Sequence, residues 1–279
     1  MSLPDPNTSY HADLTGRVVL ITGATGGLGH VLVHACAAAG ATVVMHGRVV
    51  RKLEALYDGV VTGGYPEPII LPLDLLQAGA NDFSVAESAL RAQLGRLDAI
   101  VHTAAFLGSL GPIEHQSLDR WLDAWRVNVA GAMGLTRALL PLLDAAPDAS
   151  VVFTLDSRGQ APRAYWGAYA ATKAGLAALA ATLADEWEHR ANLRINAVVP
   201  GPMHSPMRML THPGEDKSEL PKPERFIPLY LYLIRGQAKA ASALCVDGAA
   251  WLGGQPAATT LLPAGRDVVA TSSPPPSRP

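Results

Sequence analysis

Residues 17–45 leave this chain few folds to choose from. Arg17-Val-Val-Leu-Ile-Thr22 is a short β-branched run and reads as a buried strand. The Gly-rich stretch Gly23-Ala-Thr-Gly-Gly-Leu-Gly29 follows directly, His30 to Ala39 reads as a helix stopped by Gly40, and Ala41-Thr-Val-Val-Met45 reads as a second strand. A strand–helix–strand unit of about thirty residues is the length a parallel crossover needs.

The alternation continues. Pro68 to Pro72, Leu97 to Val101, Ser150 to Leu155, Leu193 to Val199 and Ala243 to Val246 read as strands. Between them, Arg51 to Tyr57, residues 82–95 and Ala168 to Arg190 read as helices. Ser117 is the expected N-cap of one long helix running through Trp121, Asn128 and Leu139. Strands alternating with helices predict an α/β, doubly wound, mostly parallel sheet of Rossmann type in a single domain. The expected bounds are a loose arm over 1–15, a dinucleotide-binding and catalytic domain over 16–255, and a disordered Pro/Ser-rich tail over 256–279. Six prolines between 202 and 228 predict a long surface loop, the expected lid, and Glu224 to Ile234 reads as helix despite Pro228.

With 49% hydrophobic and 16% charged residues the chain can bury a large core. A formal charge of -2 without blocks of like charge offers no footprint for nucleic acid. The N-terminus carries no basic, apolar leader, and Arg137 and Lys173 break the longest apolar stretches, so neither a signal peptide nor a membrane span is expected. Cys36 and Cys245 lie far apart in apolar runs and read as buried thiols of a reduced, cytoplasmic protein. No spacing among the nine histidines suggests a metal site.

Where the first strand meets its helix, Thr22-Gly23-x-x-x-Gly27-x-Gly29 lets the backbone approach a diphosphate closely and turns the helix N-terminus toward it. The second strand ends in His46-Gly47-Arg48. No carboxylate stands there to meet a free ribose 2′-hydroxyl, whereas Arg48 can pair with a 2′-phosphate, which favours NADP(H) and leaves NAD possible. The plainer reading of Arg48 is a solvated loop cation. Tyr169-Ala-Ala-Thr-Lys173 places a phenol and an ammonium one helical turn apart on one face. A cation beside a phenol lowers its pKa and fits it to move a proton near neutral pH.

Taken together, Thr22-Gly-x-x-x-Gly-x-Gly29, Asp74, Asn128, Tyr169-x-x-x-Lys173 and Pro200-Gly201 resemble the short-chain dehydrogenase/reductase family in order and spacing, over about residues 14–252. The phrases from Trp166 and from Ile227 look like a bacterial subgroup of that family. The resemblance implies a hydride-transferring enzyme acting on a small carbonyl or alcohol substrate, assembled as a homodimer or homotetramer, for which Trp121 and Trp125 supply apolar surface. Tyr169 would be the general acid or base, Lys173 would hold the nicotinamide ribose, and Asn128 would anchor a relay water. Gly23, Thr25, Gly26, Gly27, Leu28 and Gly29 would cradle the diphosphate. Arg48, Asp74 and Leu75 would meet the adenosine end, and Thr103, Ala104 and Ala105 the strand-four side. Pro200, Gly201, Met203 and Ser205 would line the nicotinamide beside Tyr169 and Lys173. Met207, Met209 and Leu210 in the lid suggest an apolar or mid-sized substrate.

Two positions depart from the family pattern. His102-Thr103-Ala104-Ala105 stands where Asn-Asn-Ala-Gly is usual, and Ala105 brings a methyl toward the cofactor. Gly159 has the spacing to Tyr169 that fixes the catalytic Ser position, and that position holds Asp156, with Ser157 beside it. A hydroxyl donates to a developing oxyanion, while an ionised carboxylate repels it. Three consequences are open: a protonated Asp156 that donates, a turn re-aimed so that Ser157 serves, or poor turnover of ordinary carbonyls. The last would make the chain a cofactor-binding sensor or scaffold. A nucleotide-sugar epimerase is disfavoured by the glycine spacing and by the lack of a second domain.

Overall fold

Val19, Leu20, Ile21, Val43, Val44, Ile100 and Val101 have no access to solvent, so consecutive residues are covered on both faces of the sheet. Parallel strands sandwiched between two helical layers require this burial. The computed structural model describes residues 3–8, 10–236 and 242–262. Its strands are β1 (Val18–Thr22), β2 (Thr42–Gly47), β3 (Ile69–Pro72), β4 (Ala99–His102), β5 (Ala149–Thr154), β6 (Leu193–Val199), β7 (Leu244–Asp247) and β8 (Ala258–Thr260). The helices are α1 (Gly27–Ala38), α2 (Val50–Thr62), α3 (Ala80–Leu94), α4 (Leu118–Trp125), α5 (Gly131–Asp144), α6 (Ser157–Gln160), α7 (Gly167–Glu186), α8 (Pro206–Thr211), α9 (Ile227–Ile234) and α10 (Gly248–Leu252).

The sheet runs β3-β2-β1-β4-β5-β6-β7-β8 and is parallel except for β8. Strand order reverses between β1 and β4, where Val19 pairs with Ala99 and Thr22 with His102. The crevice beyond the carboxyl ends of these two strands is where open α/β sheets bind ligands. One face packs Leu32, Leu53 and Tyr230 of α1, α2 and α9, and the other packs Leu90, Leu139 and Leu176 of α3, α5 and α7.

Several local expectations are corrected. The helix expected to run unbroken from Ser117 is split by a π-turn over Arg126–Ala130, and the Ser117 side chain makes no capping bond. A π-turn inserts one extra residue per turn and re-aims a side chain, here that of Asn128. The stretch 202–228 contains α8 and a 3₁₀ turn at Pro223–Phe226, and α9 starts at Ile227 with Pro228 in its first turn, where a missing N–H leaves no bond unmade.

Described residues of the stretch 1–15 pack on the domain. Leu14 is fully buried, the Trp251 indole donates to the Pro4 carbonyl at 2.7 Å, and Tyr10 packs edge-on to Tyr232. Within the stretch read as tail, Ala258–Thr260 pairs antiparallel with β7, while residues 263–279 lie outside the described residues. With all three residues exposed, β8 carries no hydrophobic pattern that a sequence reading could detect.

Candidate active site

All the parallel strands point the same way, so the loops that follow β1, β2, β3, β4, β5 and β6 gather on one edge of the sheet. Gly23 to Gly29, Arg48, Asp74 and Leu75, Thr103 to Ala105, Asp156 and Ser157, and Pro200 to Ser205 all fall on these loops.

The glycine turn has a steric explanation. Gly23 has φ +64°, and a Cβ there would sit 2.8 Å from the Ala104 Cα. A Cβ on Gly29 would lie 2.2 Å from the Gly23 carbonyl oxygen. Thr22 ties the two central strands together: its hydroxyl accepts from the backbone N–H groups of Thr103 (3.1 Å) and Ala104 (3.2 Å), and Thr103 Oγ1 donates to the Thr22 carbonyl at 2.5 Å. His46, at the end of β2, accepts from the Gly23 N–H through Nδ1 at 3.4 Å. Helix α1 begins after Gly26 with no side-chain cap and no acidic residue in its first turn. An uncapped N-terminus with a close-packed glycine approach fits a dinucleotide diphosphate. Arg48 is exposed just beyond β2, free to reach a ribose phosphate.

Some expected cofactor residues spend their side chains elsewhere. Leu28 and Leu75 are core residues, so only their backbone can face a ligand. Asp74 Oδ1 accepts from the Leu76 N–H at 3.1 Å and so caps its own turn. Gly201 takes φ +82°, Met203 packs on the core, and Ser205 caps α8 by accepting from the Arg208 N–H at 3.2 Å. A Cβ on Gly27 would meet Pro206 Cδ at 3.1 Å, which places the start of α8 directly over the glycine turn.

The chemistry-bearing group sits beside this crevice. Tyr169 and Lys173 are both buried, and the Lys173 ammonium lies 5.7 Å from the phenol ring centroid while donating to the Thr154 carbonyl at 2.8 Å. Asn128 accepts from the Phe106 N–H (2.6 Å) and donates to the Phe106 carbonyl and Thr172 Oγ1, both at 2.9 Å. The Asn128 side chain therefore fixes the loop after β4 and the inner face of α7. Gly159 lets α6 rest on α7, since a Cβ there would lie 2.7 Å from the Lys173 carbonyl carbon.

Asp156, not Ser157, faces the phenol. Its Oδ2 accepts from the Tyr169 hydroxyl at 3.1 Å, and its Oδ1 accepts from the Arg158 N–H at 2.8 Å; Ser157 is exposed. This arrangement reverses the expected tuning of the phenol. Burial, the charge of Asp156 and the hydrogen bond to it hold Tyr169 well above the usual phenol pKa. Burial lowers Lys173 to about 8, against the opposing pull of Asp156.

Three neighbours carried no expected role. Trp166 lies 5.8 Å from the Tyr169 ring, Arg158 stacks over Trp166 at 4.8 Å, and His212 in the lid lies 5.9 Å from Trp166. Trp166, three residues before Tyr169, was visible in the sequence; the approach of His212 was not. His102 is a buried strand-end residue bonded to Thr136 and stacked on Phe153. Among the described residues no group of three or more His, Cys, Asp or Glu is placed to hold a metal ion. None of the described helices is long and apolar enough to cross a membrane.

A parallel sheet with its switch-point glycine turn and a buried Tyr–Lys pair at the same edge defines a nucleotide-dependent oxidoreductase scaffold. The profile of the short chain dehydrogenase family matches residues 17–216, and the chain belongs to that family. Within it, the chain is similar to the uncharacterized oxidoreductase YciK of Escherichia coli K12: 36% identical, over 84% of this chain and 92% of the relative. A short chain dehydrogenase from Salmonella enterica serovar Typhi superposes with TM-score 0.83 at 35% identity, covering 86% of this chain and 99% of that one. One from Escherichia coli CFT073, solved complexed with NADPH, gives TM-score 0.82 at 34% identity, covering 86% and 99%.

Proposed function

We propose that this oxidoreductase uses NADP(H) to move a hydride between nicotinamide and the carbon of a small carbonyl or alcohol substrate. The observation that carries the reading is the buried Tyr169–Lys173 pair on the edge of the crevice that begins at the glycine turn. The solved relative complexed with NADPH supports the choice of cofactor, as does Arg48 in place of a carboxylate after β2.

In this reading the bound cofactor supplies hydride at the nicotinamide ring. The backbone of Gly23, Thr25, Gly26, Gly27, Leu28 and Gly29 holds the diphosphate, and Arg48 takes the 2′-phosphate. Asp74 and the Leu75 backbone meet the adenosine, and Thr103, Ala104 and Ala105 wall the ribose side. Pro200, Gly201, Met203 and Ser205 flank the nicotinamide, and Lys173 holds its ribose. Tyr169 holds the proton that the substrate oxygen receives. Asn128 keeps the loop after β4 and α7 in register around that proton. The lid over 202–228 excludes water, held by the Arg208–Glu215 ion pair and by His212 against Trp166. The exposed Leu118, Leu122 and Trp125 of α4 support assembly as a homodimer or homotetramer, and in this reading the protein is cytoplasmic.

The test is NADPH oxidation over a panel of aldehydes, ketones and quinones by wild type and Tyr169→Phe. Turnover that disappears in Tyr169→Phe is the expected result; turnover that survives overturns the proton role. A second reading, a cofactor-binding sensor with little turnover, is favoured by one observation, the phenol bonded to Asp156. NADPH binding without hydride transfer to any substrate would support it.

A further inference from the structure

The charge inside this site differs from what carbonyl reduction asks for. Lys173 alone would leave one positive charge beside the phenol, which stabilises oxygen anions. Here Asp156 accepts from the Tyr169 hydroxyl and offsets that charge. The carboxylate is not a loose surface group. One oxygen is fixed by the Arg158 N–H and the other by the Tyr169 hydroxyl. The other charged groups nearby are accounted for. Arg158 is stacked on Trp166, Arg208 pairs with Glu215, and the Lys217 ammonium is bonded to the His212 and Glu215 carbonyls. Burial keeps His212 below the ordinary imidazole pKa, so it is neutral at pH 7.

Reduction of a ketone turns a neutral group into an oxyanion next to that carboxylate. Reduction of an iminium turns a cation into a neutral amine. A fixed carboxylate opposes the oxyanion that ketone reduction builds, whereas it binds an iminium cation and holds an imine in that protonated, hydride-accepting form. We propose that the substrates this site reduces best are protonated imines (iminium ions), with Asp156 holding the N–H⁺ and Trp166 covering the substrate's flat face. This proposal rests on the oxidoreductase reading above and names its substrate class.

The step balances without a proton transfer. Hydride adds to the iminium carbon, the C=N π pair becomes the nitrogen lone pair, and the reduced nicotinamide leaves oxidised. Tyr169 keeps its proton throughout, which suits a phenol whose hydroxyl is already committed to Asp156. Trp166, 5.8 Å from the Tyr169 ring, already carries the Arg158 guanidinium over its ring, so this wall accepts a cation.

The experiment compares 2-methyl-1-pyrroline, a cyclic imine, with cyclopentanone, a ketone of similar size. NADPH oxidation would be followed for wild type, Asp156→Ser and Asp156→Asn. The asparagine keeps an acceptor for the Arg158 N–H, so the turn is preserved even if the serine variant folds poorly. Wild type is expected to favour the imine in kcat/KM, and the imine-to-ketone ratio is expected to fall about a hundredfold in both variants. A readout independent of turnover is calorimetric binding of pyrrolidinium, expected to weaken about tenfold on Asp156→Asn. Wild type that prefers the ketone, or a ratio unchanged in the folded variants, overturns the proposal and leaves the carbonyl reductase standing. Wild type that binds NADPH but reduces neither probe, nor any carbonyl of the panel, overturns both.

Discussion

The Tyr169 hydroxyl donates to Asp156 Oδ2 at 3.1 Å, so the phenol proton and a carboxylate share one bond in the middle of the candidate active site. Burial, with the charge of Asp156 and this bond, keeps Tyr169 protonated well above the usual phenol range. Asp156→Ser removes both the charge and the acceptor. The pH profile of alcohol oxidation, which needs the phenolate, is expected to shift down by about one unit or more in this variant. An unchanged profile would remove Asp156 from control of the phenol.

Tyr169→Phe removes the proton while keeping the ring against Trp166 and Lys173. Carbonyl turnover is expected to fall by about 10²–10⁴-fold, the usual contribution of a positioned acid. NADPH affinity, measured by fluorescence titration, should stay within a few-fold of wild type.

Lys173 titrates at about 8 because it is buried. It is charged below that value and neutral above it, so the attraction it offers a phosphorylated cofactor is present at pH 7 and lost as the pH rises. NADPH affinity is expected to step down near pH 8, and Lys173→Met should flatten the step. Titrations at pH 6.5 to 9.5 check this.

Arg48 is exposed, and its role is to separate two cofactors. Arg48→Asp replaces a partner for a 2′-phosphate by one for a 2′-hydroxyl. The preference for NADPH over NADH in kcat/KM is expected to fall on the order of tenfold to a hundredfold. Equal loss with both cofactors would assign Arg48 to general steering.

His46 and His102 support the glycine turn and β4 from below, and burial lowers them to about 4 and about 3. The unfolded chain binds protons near the ordinary imidazole value while the folded protein does not, so stability falls as the pH drops below about 6.5. Each histidine should contribute about 1.4 kcal/mol of loss per pH unit over that window. Urea unfolding at pH 7.5 and 5.5 is the check, and His102→Gln should reduce the difference.

The alternation of β-branched runs with Ala- and Leu-rich runs determined the strand–helix order, because period and propensity are local properties of the chain. Thr22-Gly-x-x-x-Gly-x-Gly29 and Tyr169-x-x-x-Lys173 were legible for the same reason: a turn and an i, i+4 pair each lie within a few residues. The contacts over which these groups act were not local. The approach of Gly29 to Gly23 was readable from spacing, but Thr22 bonds to Thr103 and Ala104 across some eighty residues. The sequence showed that Asp156 replaces a hydroxyl; it could not show which of Asp156 and Ser157 faces Tyr169, since that depends on how α6 seats on α7 through Gly159. The direction of the Tyr169 shift was also decided there. A Lys one turn away lowers a phenol pKa in isolation, and burial together with a carboxylate from another loop outweighs it.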